Sequence, residues 1–214
     1  MKYIFFDLDG TLTDPFFGIT NSVIYALEKM EFPHGDNEEY RKFIGPPLRK
    51  SFRVYCGMTE EQSEQAINTY REYFSPTGIF ENRVYDGIPQ TLEKLKSDGY
   101  ILVLATSKPT VYAKRILQKF DLEKYFSSVY GSELDGTREK KDEVIACALS
   151  GISASPNDVL MVGDRLHDVI GAKANGVATV GVLYGYGGYD ELKEAGAAAF
   201  ASDPEDLYEK IISF

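Results

Sequence analysis

The chain has 214 residues, 43% hydrophobic and 26% charged, an ordinary globular mixture that argues against a disordered or low-complexity scaffold. That length holds either one large domain or a domain carrying a smaller insert. A formal net charge of -10 argues against binding along a nucleic-acid backbone, which needs a basic face to displace counterions.

Residues 2–14, KYIFFDLDGTLTD, open with β-formers that stop at two acids, Asp7 and Asp9, so a strand is predicted over 3–7. This N-terminal apolar run is too short and too charged for a signal peptide or a membrane span, and no later stretch is long enough. Residues 15–84 hold no convincing strand. They contain three helical segments, 19–30, 47–55 after Pro46–Pro47, and 60–74. The last begins at Thr59 with Gln62 three positions on, a capping-box arrangement, and repeats Ala66, Ile67, Tyr70 and Phe74 at helical spacing. From Tyr85 onward, short apolar runs alternate with amphipathic stretches, the signature of βαβ units and a parallel sheet. Strands are expected at 100–106, 127–131, 158–164 and 178–184, with a weaker one near 198–202. Helices are expected at 88–97, 109–119, 142–149 and 204–213, the last capped by Asp203 ahead of Pro204. The expected organisation is an α/β core of residues 1–14 and 85–214, with an all-helical cap domain inserted at 15–84. Cys56 and Cys147 stand far apart with no metal-like spacing and read as reduced packing thiols of a cytoplasmic protein.

Open parallel sheets bind ligands at the carboxyl ends of their strands, so the residues predicted there carry the chemistry. The first strand ends in Asp7-Leu8-Asp9, the 100–106 strand in Thr106-Ser107-Lys108, and the 158–164 strand in Gly163-Asp164, with Asp168 four residues later at a helix start. Lys140 and Lys141 precede the helix that leads into the 158–164 strand. Acids gathered at one edge repel one another unless a cation sits among them, and a hard site rich in oxygen suits Mg²⁺. A hydroxyl and an ammonium at the same edge suit phosphate oxygens, so the pattern points to phosphoryl transfer. Taken singly, Thr106 and Ser107 also read as helix caps, and Asp164 and Asp168 as a turn acid and a helix N-terminal acid.

The series D-x-D-G-T-L-x-D, then T-S-K, then a lysine, then G-D-x-x-x-D resembles the four motifs of the haloacid dehalogenase superfamily of phosphohydrolases. The insert after the first motif, G-P-P-L at 45–48 and G-Y-G-G-Y at 185–189 are similar to its phosphoglycolate-phosphatase-like branch. The resemblance implies a Rossmann-like parallel sheet flanked by helices, with a helical cap. It implies Asp7 as a nucleophile that forms an aspartyl phosphate, and Asp9 as general acid and base. Thr106 would hold a phosphoryl oxygen and a lysine would neutralise that group and Asp7. Asp7, Asp164 and the main-chain carbonyl of Asp9 would bind Mg²⁺, with Asp168 behind them or bound through water. The branch usually carries its lysine in K-P-x-P. Here the segment reads T-R-E-K-K-D-E-V-I, and Lys141 is preferred over Lys140 because it lies nearer the helix start.

Substrate contacts are assigned to Ser107, Lys108 and Arg49, the alternatives for Lys108 and Arg49 being a solvated loop lysine and a solvated helix arginine. His34 and His167 read as surface residues, and Gly185, Gly187 and Gly188 as a flexible loop near the site. The expected function is a Mg²⁺-dependent phosphatase acting on a small phosphorylated metabolite, phosphoglycolate-like or a nucleoside monophosphate. A monomer or weak dimer with no nucleic-acid or membrane partner is expected. A sugar phosphomutase remains the alternative, as does, from another class, a receiver-like phospho-accepting module, which leaves the large helical insert without a purpose.

Overall fold

The computed structural model describes residues 2–214. The first predicted strand is β1, Tyr3–Phe6, and two-residue strands β2, Thr13–Asp14, and β3, Arg83–Val84, flank the helical insert. The insert holds α1, Phe16–Lys29; α2, Leu48–Cys56; and α3, Glu60–Phe74. Beyond it the elements alternate: α4, Ile88–Ser97; β4, Ile101–Pro109; α5, Thr110–Lys119; β5, Phe126–Ser132; α6, Lys141–Gly151; β6, Val159–Gly163. They continue with α7, Leu166–Ala174; β7, Ala178–Val182; α8, Tyr189–Ala195; β8, Ala199–Ala201; and α9, Pro204–Ile212. The chain divides into two compact units, one running up to Asp14 and resuming at Val84–Phe214, the other Pro15–Arg83.

The first unit is a six-stranded sheet in the order β5-β4-β1-β6-β7-β8 with every pair parallel. From β1 the chain builds outward through β4 and β5, then crosses back over β1 to continue through β6, β7 and β8. Strand direction of growth therefore reverses beside β1, the position where an open α/β sheet leaves a crevice at its carboxyl edge. Residues buried on both faces read as continuous apolar runs: Ile4, Phe5 and Phe6 of β1 and Leu160, Met161 and Val162 of β6 are wholly buried. On one face Phe5, Val103 and Met161 pack with Val144, Ile145 and Ala148 of α6 and Ala172 of α7. Each such large side chain contributes about 1.5–3 kcal/mol by leaving water.

The second unit is helical, as its sequence period predicts, around Ala66, Ile67, Tyr70 and Phe74 of α3, and α1 and α3 pack on one another. Thr59 and Gln62 form the expected capping box: Gln62 N donates to Thr59 Oγ1 at 3.2 Å and Thr59 N to Gln62 Oε1 at 2.9 Å. Gly57, with φ +67°, ends α2 in the left-handed region.

The start of α1 and the end of β4 differ from expectation by three residues, and some elements were not expected. α1 starts at Phe16 rather than 19, because Pro15 supplies the break ahead of it. β4 runs on to Pro109 rather than ending at 106, so the T-S-K segment is extended strand and the next helix starts at Thr110. α8 and a 3-10 segment, Asn37–Phe43, were not expected. Each is short, and α8 buries only Leu192, too little for a readable period.

Candidate active site

The carboxyl ends of the three central strands bring the predicted acids together. Asp7 directly follows β1, and its N–H continues the ladder by donating to Val162 O at 2.9 Å. Asp164 directly follows β6, and Asp168 stands in the first turn of α7, where its Oδ2 accepts from Arg165 N at 3.0 Å. One carboxylate oxygen each from Asp7, Asp164 and Asp168 lie within 4.8 Å of one another, and all three residues are buried. Lys141, first residue of α6 and also buried, reaches between them: its Nζ lies 2.8 Å from Asp7 Oδ1 and 2.8 Å from Asp168 Oδ1, and donates to Ala105 O at 3.1 Å. Neither carboxylate oxygen receives a well-directed hydrogen bond, so charge holds this cluster more than directed bonding does. Lys140, the other lysine considered, is exposed at the N-cap of α6.

Asp164 is held by the segment after β7. Tyr186 N donates to Asp164 Oδ2 at 2.8 Å, and the Tyr186 hydroxyl donates to Asp14 Oδ1. A Cβ on Gly185 would lie 2.3 Å from Gly10 O, and one on Gly10, whose φ is +83°, would lie 2.1 Å from Asp164 Oδ2. Side chains are thus excluded where the two loops close on Asp164. The run G-Y-G-G-Y, expected near the site, meets Asp164 through its backbone. Its glycine density just past a strand end is the signal in the sequence; the bond from Tyr186 N is not readable there.

Thr106 is buried at the end of the regular part of β4, and its Oγ1 accepts from Lys108 N at 3.2 Å. Ser107 O accepts from Ser132 Oγ at 2.7 Å. Lys108 is not a solvated loop residue: its Nζ pairs with Asp9 Oδ2 at 2.7 Å. Arg49 lies in the second unit, paired there with Glu64. His34 sits beside Glu28 at 3.4 Å. Cys56 and Cys147 are free thiols.

Burial sets the electrostatics. It pushes Asp164 well above the carboxylate range, with the neighbouring charges of Asp168 and Asp7 pushing the same way. Burial raises Asp168 to about 6 against the pull of Lys141, and raises Asp9 against the pull of Lys108. For Lys141 burial opposes the charge, yet Asp168 and Asp7 together outweigh it and hold the ammonium above its ordinary value. Four carboxylates, Asp7, Asp9, Asp164 and Asp168, share the edge with two ammonium groups, Lys108 and Lys141, so the fully ionised set carries an excess of two negative charges that burial alone disfavours. A hard dication fits that excess and that donor set.

Comparison with known proteins finds close similarity along the whole chain. A 5'-nucleotidase from Pseudomonas aeruginosa is 47% identical over 200 residues, covering 94% of this chain and 90% of that protein. The tyrosine-protein kinase PtkA of Mycobacterium tuberculosis is 41% identical over 189 residues, 88% of this chain but 64% of that protein. A crystal structure described as a predicted phosphatase from Clostridium acetobutylicum superposes with a TM-score of 0.97 at 47% identity, covering 100% of this chain and 99% of that one. Residues 4–182 match the model of the haloacid dehalogenase-like hydrolases, and with these relatives the chain belongs to that family.

Proposed function

We propose that the chain is a Mg²⁺-dependent phosphatase that hydrolyses a small phosphate monoester through an aspartyl phosphate on Asp7. The observation that carries this reading is the buried trio Asp7, Asp164 and Asp168 with Lys141 Nζ 2.8 Å from two of its members. Asp7 attacks phosphorus, and Asp9 protonates the departing oxygen and later takes a proton from the hydrolytic water. The Thr106 hydroxyl and Lys141 hold phosphoryl oxygens, and Lys141, 2.8 Å from Asp7 Oδ1, neutralises charge between the phosphoryl group and the nucleophile. Mg²⁺, held by Asp7, Asp164 and the Asp9 carbonyl with Asp168 behind them, would neutralise charge between the nucleophile and a doubly negative ester. Residues 15–84 act as the cap that selects the substrate, with Arg49 a candidate contact for a substrate anion and Ser107 one at the phosphate. The 5'-nucleotidase relative favours a nucleoside monophosphate over phosphoglycolate. A cytoplasmic monomer or weak dimer is the matching assembly.

The test is inorganic phosphate release from a panel of nucleoside 5'-monophosphates, phosphoglycolate and hexose phosphates, with Mg²⁺ and with chelator. The reading expects release with Mg²⁺, loss with chelator, and a fall of at least ~10³-fold in Asp7→Asn, whose amide cannot attack. Isomerisation of a hexose phosphate without release would put a mutase in its place. The kinase relative makes transfer to a tyrosine hydroxyl the second reading, favoured by phosphotyrosine formation from ATP without phosphate release.

A further inference from the structure

Beyond Ala105 the backbone of β4 stays extended through Pro109, but its register with β5 slips between Ala105 and Pro109. Three local features fix the slipped segment. Lys108 N donates to Thr106 Oγ1 at 3.2 Å, and Ser132 Oγ of β5 donates to Ser107 O at 2.7 Å. Gly131 leaves room for the strand to pass, since a Cβ there would lie 2.5 Å from Lys108 O. With its backbone held, Lys108 turns inward. Its side chain is 6% exposed and its Nζ stands 2.7 Å from Asp9 Oδ2. A lysine buried that deeply requires partners, and Asp9 is one within reach. The other oxygen of Asp9, Oδ1, is buried and has no hydrogen-bond partner.

The two oxygens of Asp9 are therefore not equivalent. An ammonium only donates, so Oδ2 accepts whether Asp9 is ionised or neutral, and a proton carried by Asp9 sits on Oδ1. We propose that Lys108 is a positioning residue that pins Asp9 Oδ2, making Oδ1 the single atom through which Asp9 gives and takes its proton. This rests on the phosphatase reading above and assigns Lys108 a task other than contact with phosphoryl oxygens. In the first half of the reaction, a carboxylate oxygen of Asp7 bonds to phosphorus as the bond from phosphorus to the leaving oxygen breaks, and the proton on Oδ1 passes to that oxygen. In the second, the oxygen of water bonds to phosphorus, the bond from phosphorus to Asp7 breaks, and a proton of the water returns to Oδ1.

The experiment compares kcat/KM, which reports the first half-reaction, across aryl phosphates of rising leaving-group pKa and an alkyl phosphate. The proteins are the unmodified chain, Lys108→Met and Lys108→Arg. Lys108→Met is expected to lose at most ~10-fold on 4-nitrophenyl phosphate, whose leaving group departs without a proton, and ~10²–10³-fold on the alkyl ester, which needs one. Lys108→Arg, which still donates, is expected to recover most of the alkyl activity. The ratio between substrates does not depend on how much of a variant is folded. Loss by one common factor along the series is the signature of a lysine that binds the phosphoryl group and would overturn the proposal; so would an unchanged series. Failure of the phosphatase reading looks different: the unmodified chain releases no phosphate, or Asp7→Asn still does.

Discussion

Lys140 and Lys141 are neighbours of identical chemistry, yet only Lys141 is buried, because α6 begins at that residue and turns its side chain toward Asp7 and Asp168. Removing one partner of a buried ionic cluster costs about 3–5 kcal/mol. Asp168 recovers part of this by protonating, since burial already lifts it to about 6. Lys141→Ala is therefore expected to lower stability by about 3 kcal/mol, a fall in melting temperature of roughly 6–12 °C. Lys140→Ala, on the exposed side, is expected to stay within about 0.5 kcal/mol. Thermal melts of the two variants side by side check the contrast; equal losses would contradict it. Gly10 is a second residue with no slack, as it combines φ +83° with a Cβ position 2.1 Å from Asp164 Oδ2. Gly10→Ala must push Asp164 aside, and the expected outcome is Mg²⁺ affinity weakened by roughly 10–100-fold, measured by calorimetry. Asp7, Asp9 and Asp164 were legible as a set from their places at strand ends, and Asp168 from its place at the helix start that follows. The pairing of Lys108 with Asp9 was not, because a side chain that can reach either solvent or a neighbour leaves no mark on sequence period.

At the scale of elements, long apolar runs and capped helices were readable and irregular ones were not. Buried strands such as Val159–Gly163 and the capped helix Glu60–Phe74 have strong local signals, the first apolar throughout and the second closed by Thr59 and Gln62. The capping box is exposed and local, so its contribution is separable from the chemistry. Thr59→Ala is expected to cost about 1 kcal/mol, a melting temperature lower by roughly 2–4 °C, checked by thermal unfolding monitored by circular dichroism. The T-S-K segment shows the opposite case. Its residues suit a helix cap, yet Ser132 and Gly131 on the neighbouring strand hold it extended. Such a contact joins residues about 25 apart and outweighs the local preference for a cap.

For the whole molecule, a chain of net charge -10 gathers four acids at one buried edge, and the pH response of that edge follows. Without metal, the raised Asp168 binds its proton more tightly in the folded chain than in the unfolded one. Its contribution to stability is then present at low pH and lost as pH rises from the ordinary carboxylate range through about 6. Asp164, raised by burial in the same way, would be one of the metal's ligands, so the gain in melting temperature from saturating Mg²⁺ is expected to be small at pH 5 and larger at pH 7.5. Scanning fluorimetry at several pH values, with and without Mg²⁺, measures it, and a gain independent of pH would contradict the assignment. Among the described residues no helix is long and apolar enough to cross a membrane.

By itself the sequence determined the alternation of strand and helix, the helical insert, and the residue types at the ends of β1, β4 and β6, because each depends on local period and on neighbours a few positions away. Only the tertiary structure decided which of two adjacent lysines enters the site, that Lys108 grips Asp9, and that Tyr186 N bonds Asp164 across 22 positions of chain. These are choices of direction and distance between separate strands and loops, and they exist only once the parallel sheet has set those strands side by side.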